Sequence, residues 1–92
     1  MSAGHLEDTI LKIMKLLKKL SHLSWHRGTR ENDLLLGRFA DACLKDMNDE
    51  ELSIYETLLA QPDPDIYDWV TKKSVPSPEL RPLVDKIRNF YA

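Results

Sequence analysis

Glycines and prolines cut this chain into short segments, and inside each segment the apolar residues recur every third or fourth position. No segment sustains a two-residue alternation, so the pattern predicts helices and no sheet. With 92 residues there is room for one domain. The expected architecture is therefore all-α: a single helical domain over residues 1–92, built as a small bundle of about five helices.

The first helix is expected from Leu6 to about Trp25. Leu6, Ile10, Ile13, Met14, Leu17, Leu20 and Leu23 fall on one side, and Lys12, Lys15, Lys18 and Lys19 lie toward the other. Taken alone, this segment has the pattern of a membrane-surface helix or an organelle targeting peptide. Its use of Lys rather than Arg, the nearby Glu7 and Asp8, and the core needed by the remaining residues favour a bundle helix.

Gly28 stops that helix, with Arg27 in its last turn, where a cation suits the helix dipole. Thr29 is placed to cap a second helix that turns Leu35, Leu36, Phe39, Ala40, Cys43 and Met47 inward. Asn48 and Glu51 form a capping-box pattern before a third helix carrying Leu52, Tyr55, Leu58 and Leu59. Asp63-Pro64, read as a cap and first-turn proline, opens a short fourth helix with Ile66, Trp69 and Val70. Ser77-Pro78-Glu79 repeats that signal before a fifth, with Leu80, Leu83, Val84, Ile87 and Phe90. The phases predict burial of Leu36, Phe39, Cys43, Leu52, Tyr55, Leu59, Trp69, Leu83 and Ile87. Since the core accounts for the apolar positions, a monomer is expected for the free protein.

Charge is segregated along the chain. Residues 1–30 carry six Lys or Arg against two acids, residues 31–68 two against eleven, and residues 69–92 five against two. Packing of oppositely charged helices side by side is the plain explanation. The acidic middle argues against a nucleic-acid partner, which calls for a broad basic footprint. No apolar run approaches the length of a membrane span, so no membrane insertion is expected. One cysteine, Cys43, excludes an internal disulfide and suggests a reducing compartment.

Catalytic patterns are thin. His22 and His26 lie four apart on a helix, but His5, His22 and His26 have no third ligand at a metal-binding spacing. Cys43 sits on an apolar face without a neighbouring base. Asp46, Asn48 and Glu50 imitate a calcium loop, yet Glu51 stands where such a loop has glycine, and helix capping explains them better. Asp63, Asp65 and Asp68 are likewise explained by a helix start. Gly4, Gly28 and Gly37 are too dispersed for a phosphate loop. The expectation is no enzyme, no metal and no cofactor site.

What stands out is the junction from Ser24 to Asp33. Capping, dipole terms and internal salt bridges account for part of it. The remainder is rich in residue types that concentrate binding energy at protein interfaces. The candidate partner-binding residues are Trp25, His26, Arg27, Gly28, Arg30, Glu31 and Asp33.

Arg27-Gly28-Thr29-Arg30-Glu31, followed by Asp33, resembles the RGxxE motif of the succinate dehydrogenase FAD assembly factor family, called SdhE in bacteria and succinate dehydrogenase assembly factor 2 in mitochondria. The likeness continues through Leu34-Leu35-Leu36-Gly37-Arg38-Phe39-Ala40, the Asn48-Asp49-Glu50-Glu51-Leu52 cap, Leu58-Leu59 and Pro62-Asp63-Pro64-Asp65-Ile66-Tyr67-Asp68-Trp69, covering residues 24–73 in order. Asn32 departs from the apolar residue that many members have there. The resemblance implies a helical chaperone that binds the flavoprotein subunit of succinate dehydrogenase, with fumarate reductase as a further client. It promotes covalent attachment of FAD to a client histidine, so the FAD belongs to the client. The motif carries over onto Arg27, Gly28 and Glu31, with Asp33 beside them. The alternatives are the antitoxin half of a toxin–antitoxin pair, described for some members, and a generic helical interaction module. A simple FAD carrier is disfavoured by the small bundle and missing phosphate loop. The lack of a secretory-type leader and the extent of the resemblance suggest bacterial cytoplasm, with the mitochondrial matrix as the alternative.

Overall fold

A computed structural model describes the backbone of residues 2–92 and the side chains from Leu6 onward; Met1 and the His5 side chain lie outside the described residues. The helices are α1 (Ser2–Trp25), α2 (Arg30–Cys43), α3 (Asp49–Leu59), α4 (Asp63–Val70) and α5 (Arg81–Tyr91), with a 3-10 turn at Leu44–Asp46 after α2. Among the described residues there is no strand. The chain is all-α, as its periodicity requires.

Local chemistry explains most boundaries. Thr29 caps α2 by accepting from the Asn32 backbone N–H. Asn48 and Glu51 form a reciprocal capping box at α3, with bonds of 2.8 and 3.1 Å. The Asn48 amide and the ammonium of Lys86 together hold the Glu51 carboxyl below its usual range.

Two starts differ from expectation. Asp63 is the first residue of α4 rather than its cap, because its carboxylate is engaged by Arg27 and Asn32 instead of its own helix. The fifth helix begins at Arg81, with Pro82 in its first turn. Ser77 to Leu80 form a separate turn, closed by Leu80 and Arg81 N–H donating to the Ser77 carbonyl.

The core gathers Leu20 of α1, Leu36, Phe39 and Ala40 of α2, Leu52, Tyr55, Leu58 and Leu59 of α3, Ile66 of α4, and Leu83, Val84 and Ile87 of α5. Seven of the nine residues expected inside are buried. Cys43 and Trp69 are only half-buried at the rim. Cys43 ends α2 just where the backbone tightens into the 3-10 turn, and Leu44 turns inward in its place. Phe90, also expected inside, is exposed on its outer side while its ring meets Phe39 edge-on at 5.6 Å.

Beneath the α1–α2 crossing lies a small polar network. Ser24 Oγ lies 2.7 Å from the Leu20 carbonyl and 2.7 Å from the Tyr55 hydroxyl, which in turn reaches the Leu36 carbonyl at 3.4 Å. Burial pushes the Tyr55 phenol up to about 12.

The largest departure is α1. At 24 residues it is roughly 36 Å long, whereas the other helices have 8 to 14 residues and end before it does. The molecule accordingly measures 52 × 26 × 22 Å. Leu6, Ile10, Ile13 and Met14 project beyond the bundle and are exposed, Leu6 by 59%. Periodicity placed them on the correct side of the helix, but none of the described residues covers that side. The expectation of a free monomer assumed that every apolar position was covered, and this stripe leaves that assumption unmet. No described helix is long and apolar enough to cross a membrane.

Candidate functional site

The turn between α1 and α2 is shaped by Gly28, whose φ of +102° lies where L side chains are rarely found. On one side of it, the backbone N–H of Arg27 donates to Asp33 Oδ1, which draws the start of α2 over the end of α1. On the other side, the Arg27 guanidinium turns inward. Its Nε donates to Asp63 Oδ1 at 2.8 Å, Nη1 to the Leu59 carbonyl and Nη2 to the Gln61 carbonyl at 2.9 Å. Those carbonyls lie at the end of α3, where helical geometry leaves acceptors without backbone donors. Arg27 is thus a remote cap for α3 and a tie to α4, with only 10% of its side chain exposed. Arg88 repeats the device, donating to the Trp69 carbonyl near the end of α4 and to Asp85.

Trp25 is also part of the frame. Its Nε1 donates to Asp41 at 3.1 Å, and its indole lies flat on Gly37, where any Cβ would overlap the ring. The close approach of α1 to α2 therefore depends on a glycine that motif reasoning set aside. His26 stacks on His22 with ring centroids 4.1 Å apart and bonds the His22 carbonyl. Among the described residues no three His, Cys, Asp or Glu side chains could hold a metal ion.

Of the seven residues singled out from sequence, Trp25, Arg27, Gly28 and Asp33 build the junction. Arg30 and Glu31 stand exposed on its surface, and among the described residues no side-chain hydrogen bond or ion pair engages them. His26 is exposed on the α1 side.

Glu31 borders an open groove of about 370 Å³ between the start of α2 and α4, shared with Thr29, Asn32, Asp63, Pro64, Tyr67 and Asp68. Asn32 is its most buried member, 1% exposed. Its Nδ2 donates to the carbonyl and Oδ1 of Asp63 at 2.9 and 3.2 Å, while its own Oδ1 is buried without a donor. The polar residue that departs from the common pattern thus has a structural task, linking α2 to α4. Asn32, Tyr67 and Asp68 were not identified from sequence as site residues. They are brought together only by the packing of α4 on α2, and the signal that pointed there was the run of acids after Pro62.

A family model described as flavinator of succinate dehydrogenase matches residues 18–91. Among curated proteins, the chain is similar to succinate dehydrogenase assembly factor 2, mitochondrial, of Dictyostelium discoideum, 43% identical over 82 residues that cover 89% of this chain and 58% of the relative. The protein of that name from Yarrowia lipolytica is 43% identical over 91 residues, covering 94% and 60%. The one from Saccharomyces cerevisiae (strain ATCC 204508 / S288c) is 50% identical over 71 residues, covering 77% and 41%. The chain thus spans 60% or less of the length of these relatives.

Proposed function

The chain belongs to the succinate dehydrogenase flavinator family, and from that premise we propose that it is an assembly factor for succinate dehydrogenase that docks the flavoprotein subunit at the α1–α2 junction and promotes covalent attachment of FAD there. One observation carries the choice of site. Glu31, a carboxylate with no partner of its own, is presented next to a groove by a turn whose framing side chains are fixed in hydrogen bonds. Such preorganisation lowers the ordering cost of association. The factor acts by binding: the flavin and the client's acceptor histidine carry the chemistry, and Arg30 and Glu31 supply contacts. The relatives are named mitochondrial, which favours the mitochondrial matrix over bacterial cytoplasm as the compartment.

The test is complementation in cells lacking their own factor, reading covalent flavin fluorescence of the large subunit after denaturing electrophoresis. The wild-type chain restores the fluorescent band. Glu31→Ala is expected to lose about 2 kcal/mol or more of affinity for the apo-subunit, against about 0.3–1 kcal/mol of fold stability from the helix start. Full flavinylation by Glu31→Ala at equal protein level would remove the junction as docking site. Capture of a small toxic protein in place of a flavoprotein would instead support the antitoxin alternative.

A further inference from the structure

The groove beside Glu31 is supplied with acceptors and short of donors. Among the described residues no donor bonds a carboxylate oxygen of Glu31 or Asp68. Asp63 engages Arg27 and Asn32 through Oδ1, leaving Oδ2 directed past Gly28, where an added Cβ would sit 3.8 Å from it. Asn32, which lines the groove while almost wholly buried, has an Oδ1 with no donor. No cationic side chain is among the lining residues.

Among the described residues no three His, Cys, Asp or Glu side chains here could hold a metal ion. A planar donor set suits acceptors spread along a groove. A guanidinium offers five N–H donors in a fixed fork and stacks on aromatic faces, and Tyr67 provides an exposed ring in the same lining. That ring already attracts a cation, the Lys73 ammonium, 5.6 Å from its centroid. The groove, at about 370 Å³, is roomy enough for an arginine side chain, and the net −9 of residues 31–68 favours the approach of positive charge.

We infer that the α2–α4 groove is an arginine-binding site, in which Glu31 and Asp68 receive the guanidinium fork of a partner's arginine and Tyr67 stacks on its plane. This extends the docking role proposed for the junction and rests on it for the identity of the partner. The site's preference for arginine is tested independently.

The experiment titrates the intact chain with N-acetyl-arginine amide, N-acetyl-lysine amide and the neutral isostere N-acetyl-citrulline amide, following the Asn32 side-chain amide and the Tyr67 ring by NMR. Arginine amide should give saturable shifts at millimolar concentration. Lysine amide should bind several-fold more weakly and citrulline amide not at all, and Asp68→Asn should weaken the arginine response about tenfold. Equal responses to the arginine and citrulline compounds, or none to arginine, would overturn the assignment. A second arm measures apo-flavoprotein binding by Asp68→Asn, expected to fall about tenfold. Unchanged client affinity in that variant would overturn the groove's role in docking. Failure of the wild-type chain to bind the flavoprotein would instead overturn the proposed function, with arginine selectivity still decided by the first arm.

Discussion

Replacing Arg27 by Ala should damage the fold before it damages any interface. The guanidinium donates to one carboxylate and two carbonyls from the end of α3 to the start of α4. Removing it strands Asp63, whose side chain is 20% exposed, together with the end of α3. Breaking a buried charge pair by deleting one partner costs about 3–5 kcal/mol. Water reaching Asp63 and the carbonyls recovers part of that, which places the loss near the lower end, at about 3 kcal/mol. The total stability of such a domain is about 5–15 kcal/mol, and each kcal/mol moves the midpoint of a domain this size by about 4–8 °C. Arg27→Ala should therefore melt at least about 12 °C below wild type. Arg27→Lys keeps a charge for Asp63 but lacks the fork that spans the carbonyls, so it should fall between the two. Urea unfolding with an unchanged slope, followed by circular dichroism, is the assay. An Arg27→Ala protein that melts within about 2 °C of wild type yet no longer binds the flavoprotein would refute the capping role and make Arg27 a contact residue.

Gly28→Ala should cost about 1–2 kcal/mol through its positive φ alone, since its Cβ has room; Gly28→Arg should show the same loss of urea stability and also block client binding. Gly37→Ala forces the Trp25 indole off α2 and should destabilise by about 1–3 kcal/mol, with a red-shifted Trp emission as the indole meets water. Tyr55 keeps its proton more tightly when folded, up to about 12, than in the unfolded chain near its ordinary value of about 10. The folded state thus binds more protons between those values, and the contribution is full below pH 10 and lost as pH rises toward 12. Urea midpoints should drop over that window, and Tyr55→Phe should flatten the drop.

Much of the fold is written locally. Gly28, Asn48 with Glu51, and Pro64 each act within one helical turn of their own position, so their effects are readable from neighbouring letters. What escaped such reading acts across distance. Arg27 looked like a surface cation in a last turn, but its partners lie 32 to 36 residues further on. Asn32 looked like a minor departure because the groove that gives it meaning is half made by α4. The outer part of α1 shows the same limit from the other side. Periodicity identifies which stripe is apolar, but only the lengths of the neighbouring helices decide whether that stripe is covered.

The long reach of Arg27 has a consequence for the order of assembly. Loops that close over more than thirty residues form late compared with single helical turns. The frame around Glu31 needs the end of α3 and the start of α4 in place before Arg27 finds its acceptors. A chain still emerging from the ribosome, or clipped before α4, carries the motif letters without the surface they describe. The surface around Glu31 is therefore complete only once the whole bundle has closed, and an immature copy of the chain presents the motif without its frame.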